Sequence, residues 1–115
     1  MIILFKGTKL ANTINDDKKL NRQYGPSAKI IRTCLDDLKA VSPLSVLKKL
    51  PQHRCHELKG NRKGQLAIDL IYPYRLVFEP ADDPPSIKDD GGMDWENIRS
   101  IRIIEIVDYH KQGRK

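Results

Sequence analysis

The sequence predicts an α+β domain in which two N-terminal helices pack on a small, mostly antiparallel sheet. Two patterns carry this. Helical spacing of apolar residues is confined to residues 8–50, and two-residue alternation or β-branched runs occupy most of residues 54–107. The third observation is size: 115 residues and 13.2 kDa suit one compact domain, residues 1–115, so both halves must share a single core.

Residues 1–6 (MIILFK), an apolar β-branched run closed by Gly7, predict a buried first strand. From Thr8, Leu10, Ile14, Leu20 and Tyr24 recur at helical spacing until Gly25-Pro26 breaks the pattern. Ser27 is then the candidate N-cap of a second helix, with Ile31, Leu35 and Leu38 on one face and Ser42-Pro43 at its end. Leu44, Leu47 and Leu50 predict one more amphipathic turn before Pro51. Residues 54–59 predict a short strand closed by Gly60-Asn61. Residues 65–71 predict another, with Leu66, Ile68 and Leu70 facing one way and Asp69 the other. Residues 74–79 alternate again, with Leu76 and Phe78 together. Residues 80–97 are rich in Pro, Gly and Asp and predict a long acidic loop. Trp95 within it either anchors the loop to the body or is an exposed contact for a partner. Residues 98–107 (IRSIRIIEIV) predict a central strand.

Composition narrows the function. Hydrophobic residues make up 39% and charged residues 31%, with a mean hydropathy of −0.54, the balance of a soluble globular chain. No apolar run approaches the roughly 18–20 residues that span a bilayer. Residues 1–5 are too short for a signal-peptide core and have no basic residue ahead of them. Cys34 and Cys55 sit in no metal or redox spacing, so reduced thiols and a cytoplasmic location are expected. The formal charge is +6, yet residues 79–96 hold seven acids against the single base Lys88. That segment carries −6 and leaves +12 on the rest of the chain, enough to attract polyphosphates. The alternative is an ordinary solvated basic surface. The −6 loop also invites the hypothesis that it covers a basic groove when no RNA is present.

Three segments hold residues suited to chemistry: 56–65 (HELKGNRKGQ), 74–78 (YRLVF) and 105–110 (EIVDYH). In this order they resemble the HigB-type (host inhibition of growth) toxins of the RelE/ParE superfamily. There a Leu-Lys-Gly-x-Arg-x-Gly turn, an Arg-bearing strand and a closing Asp-Tyr-His recur. The resemblance covers residues 54–110, and the helical first half by layout. It implies the RelE-like microbial RNase fold and the toxin of a type II toxin–antitoxin pair. Such a toxin is a ribosome-dependent endoribonuclease that cleaves mRNA in the A site. The implied partners are the ribosome, mRNA and a cognate antitoxin, HigA-like with a helix-turn-helix; DNA is reached only through the antitoxin complex, and no membrane is involved. Two departures from the family pattern stand out: Tyr72-Pro73-Tyr74 ahead of Arg75, and the length of the acidic loop.

The residues fit that chemistry. RNA cleavage without a metal or other cofactor needs a base for the 2′-OH, cations for the phosphate and an acid for the leaving 5′-oxygen. No His/Cys/carboxylate cluster has metal-ligand spacing. Histidine titrates near cellular pH, so His110 is the candidate general acid or base, against the alternative of an exposed tail residue. Asp108 either orients His110 or is a strand-end acid. Tyr109 stacks on a base, donates a proton or packs at the sheet edge. Strand alternation places Asp108 and His110 on one face and Tyr109 on the other. His56 is a second candidate, pairing with His110, or a half-buried strand residue. His53 reads as surface. Lys59, Arg62 and Lys63 surround Gly60 and Gly64, whose flexibility lets backbone approach a phosphate; an ordinary basic hairpin turn is the alternative. Arg75 contacts a phosphate, or else pairs structurally with Asp69 or Glu105. Two further functions stay open: a ParE-like inhibitor of gyrase that does no chemistry, and a non-catalytic member of the fold serving only as an antitoxin or DNA partner.

Overall fold

The computed structural model describes residues 1–108. Its elements are β1 (Ile2–Phe5), α1 (Thr8–Ile14), α2 (Asp17–Tyr24), α3 (Ala28–Ala40), β2 (His56–Glu57), β3 (Leu66–Asp69), β4 (Tyr74–Pro80) and β5 (Ser100–Asp108). The strands form one sheet in the order β1-β5-β4-β3-β2, in which only the β1–β5 pair is parallel. This is the predicted α+β arrangement, with β5 inside the sheet as expected. Among the described residues no helix is long and apolar enough to cross a membrane.

Local chemistry explains where the helices depart from expectation. The first predicted helix is two, because the Asp16 side chain accepts from the backbone N–H of Lys18 and Lys19 and so starts α2 afresh. Ser27 does not cap α3: it closes a 3₁₀ turn, Gly25–Ser27, that runs directly into the helix, and its side chain makes no capping bond. Arg32 on α3 ties the segments together by donating to the carbonyl of Ile14 and pairing with Asp17. The amino group of Met1 donates to the carbonyls of Leu38, Lys39 and Val41, where the helix dipole of α3 favours a cation.

One core lies between the helices and the sheet. Leu20, Ile31, Leu35 and Leu38 meet Leu66, Ile68, Leu76, Phe78, Ile101 and Ile103, and Leu44 and Leu47 of a 3₁₀ turn (Leu44–Lys49) close one end. Burying each such side chain contributes about 1.5–3 kcal/mol. Cys34 and Cys55 belong to this region, and burial pushes both thiols up to about 12.

Three further expectations are corrected. β1 is an edge strand, so Ile3 and Phe5 pack on the core while Ile2 (65% exposed) and Leu4 (42%) face outward. The strand predicted over 54–59 shrinks to His56–Glu57, since Arg54 takes a left-handed conformation (φ 49°) and a 3₁₀ turn, Gly60–Arg62, comes soon after. His53 is buried rather than on the surface: a 3₁₀ turn, Pro51–His53, folds back so that its Nε2 lies 2.7 Å from Asp37 Oδ2 on α3.

Candidate functional site

The face of the sheet turned away from the helices is assembled by register. Strand pairing sets His56 beside Ala67, Ala67 beside Val77 and Val77 beside Glu105, a row running across four strands. The next row is Asp69, Arg75 and Val107. Alternation puts both rows opposite the core-facing Leu66, Ile68, Leu76 and Phe78. Ala67 and Val77 are buried yet stand apart from the main core cluster, as a floor on this second face requires.

A bulge delivers Glu105 to that floor. Val77 pairs with Glu105 but Phe78 pairs with Ile103, so Ile104 is the extra residue and the facing of β5 inverts there. Ile101 and Ile103 face the helices before the bulge and Ile106 after it, while Glu105 turns outward. Arg62 reaches it from the β2–β3 connection: Nη2 lies 2.6 Å from Glu105 Oε2, and Nη1 donates to Gln65 Oε1 at 2.9 Å. The Arg62 side chain therefore lies across β3 and β4 instead of projecting from the turn. Lys59 and Lys63 flank it as exposed cations, with Gly60 (φ 63°) and Gly64 (φ 93°) in the left-handed backbone region that shapes the turn.

The other end of the face centres on Asp69. Arg75 Nε lies 3.5 Å from Asp69 Oδ1, and Arg54 Nε lies 3.3 Å from Oδ2. Arg75 thus faces away from Tyr74 and Leu76 as the alternation indicates, and its pairing with Asp69 is the structural alternative expected for it. The strained backbone at Arg54 also serves His56, whose Nδ1 lies 2.7 Å from the Arg54 carbonyl. A carbonyl only accepts, so Nδ1 carries the proton and, in the neutral ring, Nε2 is left as the base.

The structure thus brings His56, Arg62 and Arg75 onto one face, with Lys59 and Lys63 at its margin. It does not bring Asp108 there. Asp108 pairs in register with Tyr74, whose ring stacks edge-on against Tyr24 of α2 at 5.5 Å, and so lies on the helix side of β5. Tyr109 and His110 lie outside the described residues. Three residues that sequence reasoning passed over as site residues, Arg54, Asp69 and Glu105, prove to be the groups that hold the candidates in place. The sequence names Asp69 and Glu105 only as structural partners for Arg75, and Arg54 leaves no signal there.

Comparisons with known proteins add the fold. No protein family's sequence profile matches the chain, and no curated protein matches it. Among solved structures it is similar to the YoeB/ParE toxin from Agrobacterium tumefaciens, with a TM-score of 0.51 and 12% identity over 92% of this chain and 95% of that one. At that identity the likeness establishes a shared fold across nearly the whole length of both chains.

Proposed function

We propose that this chain is the toxin of a type II toxin–antitoxin pair and acts as a metal-independent, ribosome-dependent endoribonuclease on mRNA. The observation that carries the reading is the open sheet face. There His56, with Nε2 available as a base, shares a surface with the guanidinium groups of Arg62 and Arg75 beside the lysines of the Gly60–Gly64 turn. The fold shared with a YoeB/ParE toxin and the resemblance of the 54–110 segments to HigB-type toxins point the same way. In this reading a histidine takes the 2′-OH proton, the arginines hold the charge that builds on the phosphate, and a second proton donor serves the 5′-oxygen. Tyr109 and His110 complete the set as the closing segment, Asp108 standing on the helix side of β5, and a HigA-like antitoxin restrains the protein in its own cell.

One observation favours a second reading, a ParE-like inhibitor of gyrase without catalysis. Arg62 and Arg75 are already paired with carboxylates, which partly balance the charge that a phosphate would meet.

Primer extension on mRNA from a translating extract separates the two, with wild type, His110→Ala and Arg75→Ala each tested with and without ribosomes. Cuts within codons that require ribosomes and are lost in both variants are expected. Absence of cuts by the wild-type protein, together with stalled gyrase, establishes the second reading instead.

A further inference from the structure

The base assigned to His56 needs a tautomer that the ring does not favour by itself. Neutral histidine in water carries its proton mainly on Nε2. Here the Arg54 carbonyl, 2.7 Å from Nδ1, selects the opposite form. That carbonyl reaches the ring from a left-handed backbone (φ 49°, ψ 45°), and Arg54 is the one non-glycine residue with a positive φ among the described residues. The Arg54 side chain does not account for this conformation. It is 76% exposed, and its pairing with Asp69 contributes too little to hold an unfavourable backbone. The fixed points lie on either side of it. Before it, the Pro51–His53 turn is closed by the Arg54 N–H donating to the Pro51 carbonyl, and buried His53 sets its Nε2 2.7 Å from Asp37 Oδ2 on α3. After it, Cys55 packs on the core and His56 pairs with Ala67 of β3.

We propose that Arg54 is a positioning residue for His56 and acts through its main chain. The His53–Asp37 contact pins one end of a short bridge, β3 pins the other, and the left-handed carbonyl between them fixes His56 as the Nδ1–H tautomer. The helix side of the molecule thereby sets where the proton sits on a residue of the open face. A main-chain role makes an unusual demand on position 54. Glycine, which adopts positive φ freely, satisfies it, whereas valine, whose branched side chain disfavours that region, does not. A role through the Asp69 pairing would make glycine and valine fail alike. The catalytic meaning of the assignment rests on the ribonuclease reading, in which Nε2 takes the 2′-OH proton. The tautomer itself does not, so the two are read separately.

The test is long-range ¹H–¹⁵N correlation of the histidine rings in the full ¹⁵N-labelled chain at about pH 9, above the ordinary titration range of histidine. In the wild type and in Arg54→Gly, His56 Nδ1 should show the shift of a protonated ring nitrogen and Nε2 that of a bare one. Arg54→Val should move His56 toward the Nε2–H form while the amide spectrum elsewhere is kept. Asp37→Ala should move it the same way, and Asp37→Asn, which keeps an oxygen for His53, should restore it. An Nε2–H ring in the wild type, an unchanged ring in Arg54→Val, or equal loss in Arg54→Gly and Arg54→Val overturns the proposal. An unchanged ring in folded Asp37→Ala overturns the anchor; if that variant does not fold, the Arg54 pair decides. Both Arg54 variants lack the guanidinium, so in ribosome-dependent cutting Arg54→Val should be slower than Arg54→Gly by on the order of tenfold. Equal cutting by the two denies Arg54 a positioning role. The expected tautomers with no cutting even by the wild type sink the ribonuclease reading and leave the tautomer assignment standing.

Discussion

On the helix side of the sheet, Leu66, Ile68, Leu76, Phe78, Ile101 and Ile103 are sealed beneath α2 and α3 with no measurable exposure. On the other side of the same strands, Asp69, Arg75, Arg62, Glu79, Arg102 and Glu105 remain 24–40% exposed, joined as Arg75–Asp69, Arg62–Glu105 and Arg102–Glu79. The first side is closed by apolar burial, which needs no directional partner. The second is closed by charges that hold one another in fixed positions and still meet water. Partly exposed pairs of this kind contribute about 0–1 kcal/mol each, so their value lies in placing guanidinium groups rather than in holding the fold. In the proposed reading, stability and polyanion binding fall on opposite sides of one sheet.

The largest effect that tests this division is on the helix side. Phe78→Ala should destabilise the chain by about 3–5 kcal/mol in urea denaturation, and a loss below about 1 kcal/mol would break the contrast. On the open side, Arg62→Ala should cost only about 1 kcal/mol or less in stability. It should nevertheless weaken binding of a single-stranded oligoribonucleotide and lower the slope of log affinity against log salt by about 0.7. Glu105→Gln sharpens the same point: releasing Arg62 from its partner should raise RNA affinity a few-fold with little change in the unfolding midpoint, and a fall in affinity would mean that Glu105 itself positions the ligand.

Two smaller effects arise from proton linkage. Burial raises the Cys34 thiol, with Asp37 adding to it, and burial likewise raises Cys55, so both stay protonated in the fold up to about 12. Their contribution to stability is complete below the ordinary thiol value of 9.0 and is lost as pH climbs from there toward 12. At pH 8 an aromatic disulfide reagent should therefore modify the buried Cys34 at the rate of unfolding, not at the rate of a free thiol. Asp82 shows the opposite sign. Burial alone would raise it, but the hydrogen bonds from Ser100 and from the backbone of Arg99 hold it lower. Its hold on the loop between β4 and β5 is complete above the ordinary value of 3.8 and lost as pH falls through the depressed one, visible as acid-dependent shifts of the Ser100 amide before global unfolding.

Part of the candidate site was legible from residue order. Alternation put Arg75 opposite Tyr74 and Leu76, and the glycines marked a tight turn with Lys59 and Lys63 outside it. Trp95 proved to be the anchor rather than the exposed contact, since it is buried and its Nε1 donates to Glu57 Oε2. Glu105 was illegible as a face residue, because unbroken alternation from Ile101 and Ile103 points it at the core and only the bulge at Ile104 turns it away. His53 was misjudged because its partner, Asp37, lies 16 residues away on another element.

What residue order determined by itself was the class of each segment and which apolar side chains face inward, since periods of 3.6 and 2 residues are local properties of the backbone. It also determined the separation of a −6 segment from a +12 remainder. The tertiary structure decided the rest: that β1 joins β5 in parallel at an edge, that Arg62 crosses two strands to Glu105, and that Asp69 gathers both Arg54 and Arg75. Each of these depends on the register between strands distant in the chain, and register is set by how the whole core packs rather than by any one segment.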